Sequence, residues 1–183
     1  GGVYENKKNR EFTFQVDNSL CDNVKFGSAG DVIQAMPTSY YTLSSPNKIV
    51  IPKGKLNGGV DVQLADAFFN DPKAITLGYV VPLRLTGSSD VDTILVGSST
   101  NPHADPRIAS DWNIAPKNIT MFAVKYINEY HGNYFHYGSC QVKDGTGALK
   151  ETKTYSEKYV ENNTVLKLNT TGRYQVSVKM TSR

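Results

Sequence analysis

The stretch Lys48–Thr86 reads KIVIPKGKLNGGVDVQLADAFFNDPKAITLGYVVPLRLT, and its alternation decides the fold. In Gly59–Leu64, the apolar Val60, Val62 and Leu64 alternate with Asp61 and Gln63, the period of a half-buried strand. In Ile75–Leu85, the residues Ile75, Leu77, Tyr79, Val81, Leu83 and Leu85 share one face. Thr76, Gly78, Val80, Pro82, Arg84 and Thr86 take the other. Pro82 has no N–H to give to a ladder, which predicts an edge or a bulge at that point. Asp66 is placed to cap a single turn at Ala67–Phe69, and Asp71-Pro72 to force the chain back out. The stretch specifies a β-sheet and holds no catalytic constellation.

Working outward, Glu11–Val16 puts Phe12, Phe14 and Val16 on one face, a first strand, and Asp17-Asn18-Ser19 is turn chemistry. Val24–Phe26 is short, residues 27–30 read as loop, and Asp31–Met36 reads either as strand or as a helical turn. Tyr40–Leu43 and Lys48–Ile51 are short strands around a Ser44–Asn47 turn. After Thr86 a strand is expected at Thr93–Val96. A long stretch of low periodicity, 97–118, contains Trp112, and loops of that length are usually functional or disordered. Ile119–Ile127 resumes as a strand with Phe122, Val124 and Tyr126 on one face. About seven strands with turns at short intervals, and no alternation of helix with strand, predict an all-β immunoglobulin-like β-sandwich over residues 1–128. Residues 129–183 are expected to form an additional C-terminal β segment, the opening part of a second β domain or a layer on the first. Its strands are expected at Cys140–Val142, Lys150–Val160, Thr164–Leu168 and Arg173–Met180, with a turn at Lys143–Gly147.

The 183 residues carry 20 Lys and Arg against 17 Asp and Glu, a formal net charge of +3. The basic residues are scattered, so the footprint of a nucleic-acid surface is missing, and Lys7-Lys8-Asn9-Arg10 reads as a solvated turn. No run of about 18 apolar residues is present to cross a membrane as a helix. No leader is read at the N-terminus, and Gly1-Gly2 reads as a processing boundary, as it would in an exported protein whose leader had been removed. Cys21 and Cys140 lack metal-ligand spacing; two buried free thiols are favoured over one long-range disulfide.

Candidate chemistry is sparse. His131 and His136 stand five apart and His103 is alone in the long loop, which argues for ordinary structural roles. Asp61, Asp66 and Asp71 have strand, cap and turn positions that account for them better than paired carboxylate catalysis. No GxSxG, HExxH, Walker A or GxGxxG motif occurs. The sequence reads as a non-enzyme with no cofactor and no metal site. Asn118-Ile119-Thr120, Asn162-Asn163-Thr164 and Asn169-Thr170-Thr171 match a glycosylation acceptor pattern that is common by chance. The most informative feature is the aromatic run Tyr130, Tyr134, Phe135 and Tyr137, with Trp112 earlier in the chain. Flat aromatic rings with a polar tip suit the apolar C–H faces of sugars and also anchor protein interfaces. The candidate ligand-binding residues are Trp112, Tyr130, Tyr134 and Tyr137.

Seven segments in order carry a family likeness: YYTL at 40–43, KIVIPKG at 48–54, VDVQL at 60–64, DAFFNDP at 66–72, YVVPLRL at 79–85, FAVKYIN at 122–128 and YHGNY at 130–134. Together they resemble the N-terminal domain of unknown function of Bacteroidetes cell-surface lipoproteins. The resemblance implies an immunoglobulin-type β-sandwich, exported and lipid-anchored at the outer membrane on the cell surface. It implies a place in polysaccharide-utilisation loci, with an oligo- or polysaccharide ligand and SusC- and SusD-like surface proteins as partners. The same domain also precedes the catalytic domain of some endo-β-N-acetylglucosaminidases. Residues 131–183 look similar to the start of a lipocalin-like second β domain. The expected function is a non-catalytic surface module assisting glycan capture. The alternatives are a structural spacer or adhesin-like protein-binding module, and an accessory domain of a longer glycosidase. The likeness supplies no ligand set to transfer onto these residues.

Overall fold

A computed structural model describes residues 5–27 and 30–181. The Gly1-Gly2 boundary and the Ser28-Ala29 part of the expected loop lie outside the described residues. The chain forms two compact units, Gly1–Lys125 and Tyr126–Arg183. In the first, the strands are β1 (Arg10–Val16), β2 (Gln34–Ala35), β3 (Tyr41–Leu43), β4 (Lys48–Ile51), β5 (Val62–Leu64), β6 (Tyr79–Gly87) and β7 (Ile119–Val124). A four-residue α-helix, α1 (Asp66–Phe69), joins β5 to a 3-10 turn at Pro72–Ile75. The all-β expectation holds.

β6 is the centre of the larger sheet. It pairs antiparallel with β7 on one side; on the other it pairs parallel with β2 through Gln34 and Ala35 and then antiparallel with β1 from Leu83 to Gly87. β4 extends the sheet beyond β1, and β3 pairs with β5 in a separate two-stranded sheet. The expected edge or bulge at Pro82 is corrected: Pro82 lies inside the central strand and is fully buried. Alternate backbone groups of a strand point to alternate sides. The Leu85 N–H turns to β7, donating to Asn118 O at 2.7 Å, while Pro82 O accepts from the Asp17 N–H at 3.0 Å on the β1 side. The missing Pro82 N–H therefore falls where β2 has ended and β1 has only just begun, a point that needs no donor. The bulge occurs instead between β1 and β6, at Thr13 and Phe14.

β6 is buried on both faces rather than one. Its even face carries Val80, packed with Cys21 and Ile33 and flanked by Phe26, Ala35 and Met121. Its odd face looks toward β3 and β5, and Leu43, Val62, Leu64, Val81, Leu83 and Phe122 from the two sheets line one cleft of about 460 Å3. At the β2 end, Tyr79 meets Tyr40 edge-on and Phe68 at a tilt, with ring centroids 5.6 and 6.4 Å from Tyr79.

Other sequence expectations are revised. Ile75 and Leu77 do not extend β6, because Asp71 caps the 3-10 turn, accepting from the Lys73 N–H at 2.8 Å. Asp71-Pro72 thus starts a second turn rather than releasing the chain. Asp66 is the first residue of α1 and Ala65 holds the N-cap position. Thr93–Val96 is not a strand; Leu95 and Val96 are exposed, and Leu95 O receives a single bond from the Lys117 N–H. β7 stops at Val124, short of Ile127.

The second unit contains β8 (Gly132–Phe135), β9 (Gly138–Lys143), β10 (Leu149–Tyr155), β11 (Val165–Gly172) and β12 (Gln175–Thr181). β9 and β10 form a hairpin whose turn is closed by Asp144, while β11 pairs with β8 on one side and β12 on the other. The expected strand at 150–160 ends at Tyr155, and Val160–Asn162 is a 3-10 turn. Cys21 and Cys140 are both free; Cys21 is buried, but Cys140 is exposed on β9, against the expectation that both thiols are buried.

Candidate functional site

The aromatic residues singled out by the sequence fall in different units, Trp112 in the first and Tyr130, Tyr134 and Tyr137 in the second. Trp112 is half-buried, and its indole N–H donates to Asp105 O at 2.7 Å. Its ring lies over Gly97, where any Cβ would come within 2.8 Å of the indole, and Gly97 has a φ of +83° that side chains rarely adopt. Arg107 fastens the same loop. It forms a two-pronged ion pair with Asp105 and donates to the carbonyls of Leu20, at 3.2 Å, and Asp22. Hydrogen bonds from that guanidinium hold the Asp105 carboxyl down to about 2. The 97–118 stretch is therefore a packed loop built around Arg107 and Trp112, and its sequence signal was one Trp inside polar residues.

In the second unit, Tyr130 is 59% exposed, Tyr134 42% and Tyr137 75%. Tyr134 sits on β8 opposite Leu166, and its hydroxyl donates to Tyr130 O at 3.0 Å. The turn that presents Tyr130 is set by Asn128, which is buried. Its Oδ1 accepts from the Tyr130 N–H at 2.9 Å, and its Nδ2 donates to Arg173 O at 2.8 Å. The β8 ladder and an asparagine turn thus hold Tyr130 and Tyr134 together, while Tyr137 follows the strand. Solvated rings fixed by backbone contacts can stack on a flat ligand at a small ordering cost.

Polar groups elsewhere have structural assignments. The Asp71 carboxylate accepts from Tyr79 Oη at 2.5 Å, Tyr40 Oη at 2.8 Å and the Lys73 N–H. These bonds, that of Tyr79 foremost, lower its pKa. Burial, followed by the same carboxylate, raises that of Tyr79. Burial also pushes the Cys21 thiol up, away from nucleophilic reactivity. His131 Nδ1 accepts from the Thr170 N–H at 3.1 Å, and His136 stacks on Tyr155 with ring centroids 4.3 Å apart. Asn118, an acceptor in the glycosylation pattern, is buried. Among the described residues no three or more His, Cys, Asp or Glu are arranged to hold a metal ion. No described helix is long and apolar enough to cross a membrane.

Fold and surface define a β-sandwich module with a second, smaller β unit. Residues 1–92 match the model of a protein family described as a "-like, N-terminal domain". The chain belongs to that family of N-terminal domains. It is similar to a crystal structure, at 2.40 Å, of a Bacteroides ovatus protein of unknown function, with 41% identity and a TM-score of 0.79. The match covers 94% of this chain and 54% of that one, so this chain spans about half the length of its relative. The resemblance to a Bacteroidetes N-terminal domain of unknown function is thereby upheld. No curated protein matches the chain.

Proposed function

We propose that the chain is a non-catalytic module of the cell surface that assists glycan capture in a polysaccharide-utilisation system. The observation that carries this reading is the set of exposed tyrosines, Tyr130, Tyr134 and Tyr137, on and beside β8. The rings stack on the C–H faces of an oligo- or polysaccharide, and neighbouring polar groups bond its hydroxyls. Trp112, in its own loop of the first unit, is a separate candidate contact. The full-length protein is exported, lipid-anchored at the outer membrane and partnered by SusC- and SusD-like surface proteins, as the family likeness implies.

Calorimetric titration of the longer protein against a panel of host and plant glycans tests the reading. Heat from one glycan class, weakened about tenfold by Tyr134→Ala or Tyr137→Ala, is the expected result. Silence across the panel, or binding that ignores those substitutions together with Tyr130→Ala and Trp112→Ala, rejects the site. A second reading is a spacer or adhesin-like protein-binding module. It is favoured by the further exposed apolar residues Phe135, Tyr174 and Val178 in the same unit. A protein partner would then protect these residues while free glycan does not.

A further inference from the structure

The second unit carries the whole net charge of the chain. Residues 126–183 hold eight Lys and Arg against five Asp and Glu, whereas residues 1–125 hold twelve of each. Within the unit that charge has a definite place. β8, β11 and β12 contain no Asp or Glu, and their charged residues are Lys167 and Lys179. The register brings these two directly opposite each other, with Asn133 of β8 on the other side of Lys167. The three side chains form one row across the sheet, at the strand spacing of about 5 Å. All three are exposed.

Like charges directly opposite on an antiparallel pair destabilise it. Neither lysine forms a salt bridge with a described residue that would offset this. Lysine on an exposed strand edge guards against aggregation, which accounts for Lys179 on the edge strand β12. It leaves Lys167 unexplained, because β11 is the central strand. The next row on the same face pairs Phe135 of β8 with Val165 of β11. Phe135 is 55% exposed, so the face joins an aromatic ring to two ammonium groups. Tyr134, opposite Leu166, belongs to the other face of the sheet. An acidic sugar uses both features, the ring for its apolar C–H side and the cations for its carboxylate or sulfate. Two cations are few for a nucleic acid, whose binders neutralise several phosphates.

We propose that this face of the β8–β11–β12 sheet binds an acidic polysaccharide, with a carboxylate or sulfate held between Lys167 and Lys179 and a sugar ring against Phe135. An anion between the two ammonium groups replaces one repulsion by two attractions, so the pair is most stable when occupied. The Asn133 amide, beside them in the same row, bonds a sugar hydroxyl. The site goes beyond the tyrosine reading and rests on it only for glycan as the class of ligand.

The test titrates the whole chain with oligogalacturonate and with its methyl ester, which keeps the sugar rings and loses the charge. Dextran sulfate and dextran form a second pair, which separates a sulfate from a carboxylate. One acid or both should bind roughly tenfold more tightly than the neutral form and move the amide NMR signals of Asn133, Phe135, Lys167 and Lys179. Lys167→Gln combined with Lys179→Gln is expected to weaken the acid about tenfold. The same variant should melt no lower than the native chain, because the repulsion is gone. Lys143→Gln combined with Lys150→Gln removes the same charge from the exposed β9–β10 hairpin and is expected to change affinity less than about twofold. Equal affinity for acid and neutral form, equal loss in the two double variants, or no binding of either acid overturns the proposal. So does tighter binding of a short DNA duplex than of either acid, which would give the face to a nucleic acid. Acid binding lost in Tyr134→Ala but kept in the Lys167 and Lys179 variant overturns it and leaves the glycan reading standing. The reverse pattern upholds this face and rejects the tyrosine site.

Discussion

Residues 1–125 bury phenylalanine, leucine and valine, whereas residues 126–183 bury asparagine. In the first unit Phe14, Leu20, Phe68, Val80 and Val81 are almost wholly withdrawn from water. In the second, the buried residues among those described are Asn128 and Asn163. Asn163 accepts from the Glu157 N–H and donates to Val160 O, and Asn128 ties Tyr130 to Arg173. These amides satisfy backbone groups and fix turns, but they withdraw little apolar area from water. Ladders and turns thus specify shape in both units, while the hydrophobic term that offsets chain entropy is concentrated in one of them. A three-stranded sheet and a hairpin without a buried apolar face are marginal on their own.

The largest expected effect follows directly. Residues 1–125 expressed alone unfold cooperatively in calorimetry, close to the transition of the whole chain. Residues 126–183 alone show no cooperative transition and little amide protection. A cooperative melt from the second fragment would break the comparison. Substitution sharpens it at the scale of single side chains. Phe68→Ala removes a ring with no solvent exposure from the Tyr40–Tyr79 cluster and is expected to cost about 3–5 kcal/mol. Tyr174→Ala, at a side chain 83% exposed in the β11–β12 turn, is expected to stay within about 0.5 kcal/mol. Chemical denaturation of both variants checks the pair; similar midpoints would mean that burial does not divide the units as described.

Much of this architecture was legible because alternation is a direct consequence of strand geometry. β1, β4, β7, β11 and the Tyr79–Leu85 part of β6 follow from it. It misled at Ile75 and Leu77, which keep the parity of β6 but belong to a turn that Asp71 caps within a few residues. Thr93–Val96 has strand-like residues but gains no ladder partner, and partners are a property of the whole sheet. Pro82 could not be placed, because its tolerance depends on β2 ending where β1 begins. The tyrosines stood out as a dense aromatic run. The lysine pair did not, because Lys167 and Lys179 lie on different strands and meet only once β11 pairs with β12. The lock of Arg107 on Asp105, Leu20 and Asp22 joins positions more than 80 residues apart and leaves no local pattern.

The smallest expected effect uses acid to separate the units. In the first, Arg107 holds the Asp105 carboxyl to about 2, and the carboxyls of Asp17 and Asp71 are lowered, chiefly by the hydroxyls of Ser19 and Tyr79. In the second, Asp144 is lowered, chiefly by the Thr146 hydroxyl in the β9–β10 turn. A carboxyl whose folded pKa is depressed stabilises the fold above its unfolded value near 4, and that contribution is lost as pH falls toward the folded value. Stability should therefore fall between about pH 4 and pH 2. The amides of the 97–118 loop should open in that window as Asp105 takes up its proton and releases Arg107. Asp105→Asn should lower stability at neutral pH by about 1 kcal/mol, the scale of a partly solvated pair, and flatten the acid dependence. Hydrogen exchange from pH 5 to pH 2 distinguishes the outcomes. An unchanged acid slope in Asp105→Asn would remove the Arg107 lock from the account of the loop and leave Trp112 over Gly97 as what orders it.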